Sequence, residues 1–137
     1  MVMSDAELTF WTRAPFVFWS VVFFVFGAVV GSFLNVCIYR MPRDMSLCKP
    51  GSQCPVCSFT IPWRLNIPIV SWLWLRGKCK QCTEPISPRY LGVEMLTGIA
   101  FLSSWLAFGE QTTSGVLLAV TWGFVLSGLI VATFIDF

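Results

Sequence analysis

The sequence predicts an all-α integral membrane protein with about three transmembrane helices and a small cytoplasmic four-cysteine, zinc-ribbon-like domain between the first and second. Three observations predict it. Of the 137 residues 56% are hydrophobic and only 12% charged, with a mean hydropathy of +0.75, too apolar for a water-soluble domain. Charge-free runs extend over 26 residues from Ala14 to Tyr39 and over 25 from Gln111 to Ile135, each exceeding the roughly 20 residues a spanning helix needs. Between these runs, four of the six cysteines form two C-x-x-C pairs.

In chain order, residues 1–13 read as an outer segment. Their charges are Asp5, Glu7 and Arg13, unlike the basic start of a removable signal peptide, and the following run is too long for one, so 14–39 is predicted as the first transmembrane helix. Residues 40–90 hold eight of the nine Lys and Arg residues against only Asp44 and Glu84, and the positive-inside rule places that loop in the cytoplasm. Residues 91–109, interrupted only by Glu94, make a second helix that returns to an outer turn at 110–113. A third helix, 114–137, then brings Asp136 back to the face that carries the loop.

The strongest local signal lies in that loop. "CPVC" (Cys54, Cys57) and "CKQC" (Cys79, Cys82) are separated by 21 residues, close to the spacing of four-thiolate zinc ribbons. Each pair turns two sulfurs toward one ion, and tetrahedral zinc accepts four thiolates, so the absence of histidine is no obstacle. A closed four-sulfur shell makes the ion structural. Disulfides and a redox C-x-x-C are the competing readings, disfavoured by a reducing compartment and by the lack of a βαβ pattern. Lys78 and Lys80 flank the second knuckle, as counter-charges or simply as topology-setting charges, and Cys37 and Cys48 receive no role.

"LNIPIVSWLWL" (65–75) is apolar but too short to cross a bilayer. Its Trp72 and Trp74, with Trp63, suit either a small core under the metal or the lipid headgroup region. Gly27 and Gly31 form a G-x-x-x-G pattern, and Gly123 with Ser127 and Gly128 with Ala132 repeat small residues at the same spacing, which permits close helix approach in lipid. No repeat is visible. The basic residues are scattered along a tethered loop, so contact with membrane lipid is expected and nucleic acid is not.

Ionisable groups within spans are costly, which makes Glu94 and Asp136 functional candidates, although a carboxylate near a boundary can simply reach water. Asp136 faces the unfavourable end of a helix dipole, with no Lys or Arg following it. The expectation is a truncated product or one half of a split enzyme.

"GSFLNVCIYRMP" (31–42), the double C-x-x-C, "NIPIVSWLWLRGKC" (66–79), "ISPRYLGVEMLTG" (86–98) and the final "FID" together resemble the N-terminal part of a type IV prepilin peptidase. That resemblance implies a bifunctional enzyme of the bacterial inner membrane, serving type IV pilus or type II secretion systems. It would cleave prepilin or pseudopilin leaders and N-methylate the new terminus. It implies that Asp136 is the first of two catalytic aspartates, that Cys54, Cys57, Cys79 and Cys82 bind zinc, and that residues 31–42 with the loop serve methyl transfer from S-adenosylmethionine. Gly31, Asn35 and Arg40 are further site candidates within that stretch, beside Glu94. Leu65 and "YLGVE" depart from the family pattern, which puts substrate details in doubt.

An aspartic protease needs one ionised and one protonated carboxyl. The family's second aspartate lies in a G-x-G-D motif that this sequence lacks, so peptidase activity is not expected of the chain alone, and a separate C-terminal peptidase half is the expected partner. The alternative is a non-catalytic membrane zinc module that binds pilin leaders or assembly proteins.

Overall fold

The structure is a computed structural model that describes residues 16–109 and 112–135. Three helices in it are long and apolar enough to cross a membrane: α1 (Phe16–Arg40), α3 (Arg89–Phe108) and α4 (Thr113–Ile135). The remaining helix, α2 (Val70–Trp74), is short, as are two 3-10 turns at Met41–Arg43 and Trp63–Leu65. At about 1.5 Å per residue the 25 residues of α1 span roughly 38 Å, enough for a hydrocarbon core about 30 Å thick.

Helix ends follow local chemistry. Pro42 follows the last turn of α1, and Asp44, at φ 51°, donates its N–H to the Met41 carbonyl to close the exit. Ser-Pro precedes α3, where the Ser87 hydroxyl accepts the Arg89 N–H at 3.3 Å. Thr112 caps α4 by accepting the Gly115 N–H at 3.1 Å.

Helix α3 is the middle of the bundle, packed on α1 along one face and on α4 along another. Close approach of α1 and α3 depends on missing side chains. A Cβ on Gly27 would lie 2.6 Å from the Thr97 carbonyl and 2.9 Å from the Gly98 Cα; one on Gly31 would overlap the Thr97 hydroxyl and lie 2.9 Å from the Glu94 Cα. The G-x-x-x-G pattern is therefore an interface to α3. On α4 the two predicted small-residue pairs differ: Gly123 and Ser127 are buried, with Gly123 against the Phe101 ring, whereas a Cβ on Gly128 would meet nothing within 4 Å.

At the end of the bundle remote from the cysteines, the core is Phe23, Phe101, Trp105 and Ala119. Phe16 and Phe23 stack on Trp105 with centroids 5.4 and 4.8 Å away, and Phe101 meets Phe26 and Phe124 edge-on, each at 5.3 Å. Buried hydroxyls of Thr97, Ser104 and Ser127 each donate to the carbonyl four residues back, so none of the three is stranded in the apolar interior.

Between α1 and α3 lies the cysteine domain, and its two knuckles are one motif built twice at an offset of 25 residues. Cys54 and Cys79 donate their N–H groups to the Phe59 and Glu84 carbonyls, at 3.0 and 2.8 Å. Ser58 and Thr83 donate back to Cys54 and Cys79, both at 3.0 Å, and Ile61 and Ile86 donate to Ser52 and Gly77. Each turn places the residue after its second cysteine in the left-handed region, Ser58 at φ 56° and Thr83 at φ 60°. The sequence shows no repeat because hydrogen bonds and dihedrals, far more than residue identities, are what the two turns share.

Candidate functional site: a four-sulfur cluster and a polar cavity

The double knuckle brings the four predicted cysteines together. Their sulfurs all lie within 4.8 Å of one another, with Cys54 3.7 Å from Cys82 and Cys57 3.8 Å from Cys79. Sulfurs about 2.3 Å from a central zinc at tetrahedral corners would be separated by about 3.8 Å, so the cluster has the dimensions of a metal site. A disulfide would need about 2.0 Å, and all six cysteines are free. The closest contacts join the two knuckles, so an ion there would tie them together.

Cys79 and Cys82 do not titrate alike. Backbone N–H groups of Cys82 and Gln81 draw Cys79 down to about 6. For Cys82 the Glu84 N–H pulls downward, but desolvation and the facing sulfurs of Cys57, Cys79 and Cys54 outweigh it and push the thiol up to about 12. The Cys79 thiolate is therefore ready at neutral pH, and ion binding must displace the proton of Cys82.

Beside the cluster, a cavity of about 530 Å³ opens between the last turns of α1, the first turns of α3 and α2. Its lining includes Asn35 and Arg40 of α1, Ser71 and Trp72 of α2, and Arg89 and Glu94 of α3. The sequence candidates converge here by distinct routes. Gly31 lets α1 come against the backbone at Glu94. Asn35, one turn further, donates its amide to the Tyr90 carbonyl at 3.0 Å and leaves its own buried Oδ1 without a partner. Arg40 is buried, and its fork donates to the Ser46 and Pro50 carbonyls at 2.8 and 2.7 Å and, more weakly, to Leu47 and Gly51. It folds residues 46–51 back onto the end of α1, a task that a single ammonium could not share among so many acceptors.

Glu94 is only 8% exposed, so in this structure it does not simply reach water. Its Oε2 accepts the backbone N–H of Ile69 at 2.7 Å, and Ile69 holds φ 65°, ψ −54°, a conformation that a β-branched residue rarely adopts. The helix-to-loop contact thus fixes the carboxylate and orders the start of α2 together. Asp136 lies outside the described residues.

Residues 25–108 match the family described as the bacterial peptidase A24 N-terminal domain. The chain belongs to this family. Similar proteins include a prepilin leader peptidase/N-methyltransferase of Myxococcus xanthus, 51% identical over 61% of this chain and 25% of that protein. A type 4 prepilin-like proteins leader peptide-processing enzyme of Escherichia coli is 43% identical over 80% of this chain and 46% of that protein. A prepilin leader peptidase/N-methyltransferase of Neisseria gonorrhoeae is 40% identical over 80% of this chain and 45% of that protein. The chain therefore spans less than half the length of these relatives. No solved structure matches it.

Within this A24 N-terminal domain, residue reasoning missed the parts of the site whose role is made by the backbone or by local packing. Ile69 acts through its N–H, and Ser71 and Arg89 each bring a buried unpaired atom to the cavity wall, Oγ and Nε. Of the three tryptophans with two expected locations, Trp72 donates to the Ile86 carbonyl at 3.3 Å and packs on Gly77. Trp63 and Trp74 are 74% and 81% exposed. A Gly at 77, with φ 65°, was the signal: no side chain fits against the Trp72 ring there.

Proposed function

We propose that this chain forms the N-terminal portion of a prepilin leader peptidase/N-methyltransferase. The observation that carries the proposal is that the family match, over residues 25–108, includes the cysteine cluster and the cavity, and that similar proteins carry that double name. In this reading Cys54, Cys57, Cys79 and Cys82 hold a structural zinc. The protein sits in the bacterial inner membrane with residues 1–13 outside and the zinc domain in the cytoplasm, the side favoured by its eight basic residues. Prepilins or pseudopilins are its substrates, and the contact surface of the basic loop is membrane lipid.

The cavity is the place for methyl transfer. S-adenosylmethionine, when bound, supplies an electrophilic methyl group on a sulfonium. The chain's own residues shape its site: Arg40 holds the 46–51 loop against the end of α1, Gly31 sets the helix spacing, and Asn35 and Glu94 contribute oxygen acceptors to the lining. Asp136 supplies one of the two carboxyls of the peptidase site, and a further polypeptide segment, present in the longer relatives, supplies the other. One aspartate cannot both activate water and donate a proton to the leaving amine.

The test is to fuse, or co-express, the C-terminal portion of the Neisseria gonorrhoeae relative with this chain. Leader cleavage should appear, Asp136→Asn should abolish it, and methylation of a precleaved substrate should survive that substitution. Failure of the fusion to cleave or to methylate would favour a non-catalytic zinc module.

A further inference from the structure

The cavity wall has a chemical bias that its contacts do not account for. Asn35, 2% exposed, spends its amide nitrogen on Tyr90, which leaves Oδ1 as a buried acceptor with no donor. Ser71 Oγ is likewise buried without a partner, and both residues line the same cavity as Glu94. Glu94 takes the Ile69 N–H on one oxygen and also has the Ser32 hydroxyl as a neighbouring donor, and the carboxylate lies one helical turn from Tyr90, where Asn35 is anchored; Ser71 follows Ile69 by two residues. Two helices and a strained turn thus bring a carboxylate, an amide oxygen and a hydroxyl into one wall. Arg40 and Lys80 also line the cavity, and the Arg40 Nη1 and Nη2 groups spend their donors on the carbonyls of residues 46–51 instead of on these oxygens. Arg89 Nε, a buried donor on the same wall, reaches none of the three oxygens either.

Buried acceptors are costly unless met by donors. A group with three N–H donors, no acceptor and one positive charge has the chemistry to donate to a carboxylate, an amide oxygen and a hydroxyl oxygen and to balance the carboxylate; that description fits a primary ammonium. We propose that Glu94, Asn35 and Ser71 form a binding site for the ammonium of an α-amino group. The inference rests on the methyl-transfer reading for its biological sources, of which there are two: the free amino terminus of the polypeptide to be methylated and the amino-acid tail of the methyl donor. Its chemistry rests on the cavity alone.

The experiment uses the zinc-loaded 137-residue chain in detergent micelles and calorimetric titration with a leucyl tripeptide amide bearing a free amino terminus, against the same peptide N-acetylated. The free amine should bind at least tenfold more tightly. Glu94→Gln, which keeps an oxygen for the Ile69 N–H, should erase that preference with zinc content unchanged. Ser71→Ala, which removes a hydroxyl that the fold does not use, should weaken the free amine several-fold and serves if Glu94→Gln does not fold. Competition by S-adenosylhomocysteine, which has the same α-amino group without the sulfonium, assigns the site to the donor's tail; a lack of competition assigns it to the peptide. Equal binding of the free and acetylated peptides, or full affinity in both variants, overturns the site. A wild-type chain that prefers the amine, joined to a fusion that never methylates, refutes the proposed function and leaves the ammonium site standing.

Discussion

The two ends of the α1–α3 seam are made of the same helices and serve opposite purposes. At one end Phe16, Phe23, Phe101 and Trp105 pack ring on ring, with Ala119 of α4 completing a core that has almost no use for polarity. At the other end the same two helices carry Asn35, Arg40 and Glu94, all buried: Asn35 donates across the seam to Tyr90 of α3, while Arg40 and Glu94 bond out of the bundle to the loop between α1 and α3. In lipid, where apolar surfaces gain little from hiding from one another, the aromatic end must hold the helices by close contact, whereas the polar end meets Arg40 and Glu94 with groups of the protein and leaves Asn35 Oδ1 and Ser71 Oγ open toward a ligand. Stability should therefore be divisible: damage to one end should leave the other recognisable.

The largest effect should follow loss of the metal. Binding of structural zinc is worth on the order of 10 kcal/mol in small zinc modules, so Cys57→Ser or chelation should unfold residues 46–87 and collapse the cavity, while hydrogen exchange at Phe101 and Trp105 stays slow. Simultaneous loss of protection at both ends would break the comparison. Acid offers a graded version. Cys79 is held below the ordinary thiol value of 9.0, so its contribution is complete above that pH and is lost as pH falls through about 6. Cys82 is shifted the other way, and its own contribution persists below 9.0 and is lost only near 12, outside the range of the assay. Zinc content measured after dialysis should therefore decline as pH falls from 9.0 toward about 6 and fall further below it, where Cys79 as well as Cys82 holds a proton that the ion must displace.

Trp105→Ala tests the opposite end. Removing a fully buried ring that Phe16 and Phe23 stack against should cost about 3 kcal/mol in detergent unfolding, with zinc stoichiometry unchanged. Gly31→Ile should be milder, about 1–3 kcal/mol, since the new side chain must displace the Thr97 hydroxyl and the backbone at Glu94. Because Gly31 lies between the two ends, its signature should be partial: loss of ligand binding in the cavity with zinc and the aromatic core intact.

What the sequence could and could not show follows from which atoms carry the information. Three membrane-length helices and four gathered sulfurs were legible, because apolar length and C-x-x-C spacing are properties of side-chain type. So was the candidacy of Glu94, since a carboxyl in an apolar run demands an explanation. Its partner was not legible: the Ile69 N–H becomes a donor only through a left-handed φ that the identity of isoleucine argues against. The doubled knuckle was hidden for a similar reason, with Cys54, Cys57 and Ile61 matched by Cys79, Cys82 and Ile86 but "PV" opposite "KQ" and "FT" opposite "EP". Small-residue spacing marked Gly27 and Gly31 as an interface without naming α3 as its partner, because periodicity defines a face and leaves its neighbour open.

The smallest expected effect is also the sharpest test of how far the aromatic end extends. Helix α4 carries two stripes of the same spacing, Gly123 with Ser127 and Gly128 with Ala132, which composition alone cannot rank. A Cβ on Gly123 would lie 2.7 Å from the Phe101 ring, the same ring that Phe26 and Phe124 meet edge-on, so Gly123→Leu should cost about 1–3 kcal/mol and displace α4. A Cβ on Gly128 meets nothing, so Gly128→Leu should change the stability of the isolated chain by no more than about 0.5 kcal/mol. Parallel detergent unfolding of the two variants gives the comparison directly. Equal losses would mean that the Gly128 face is already occupied in solution, and cross-linking of the wild-type chain would then have to show a second copy seated on it.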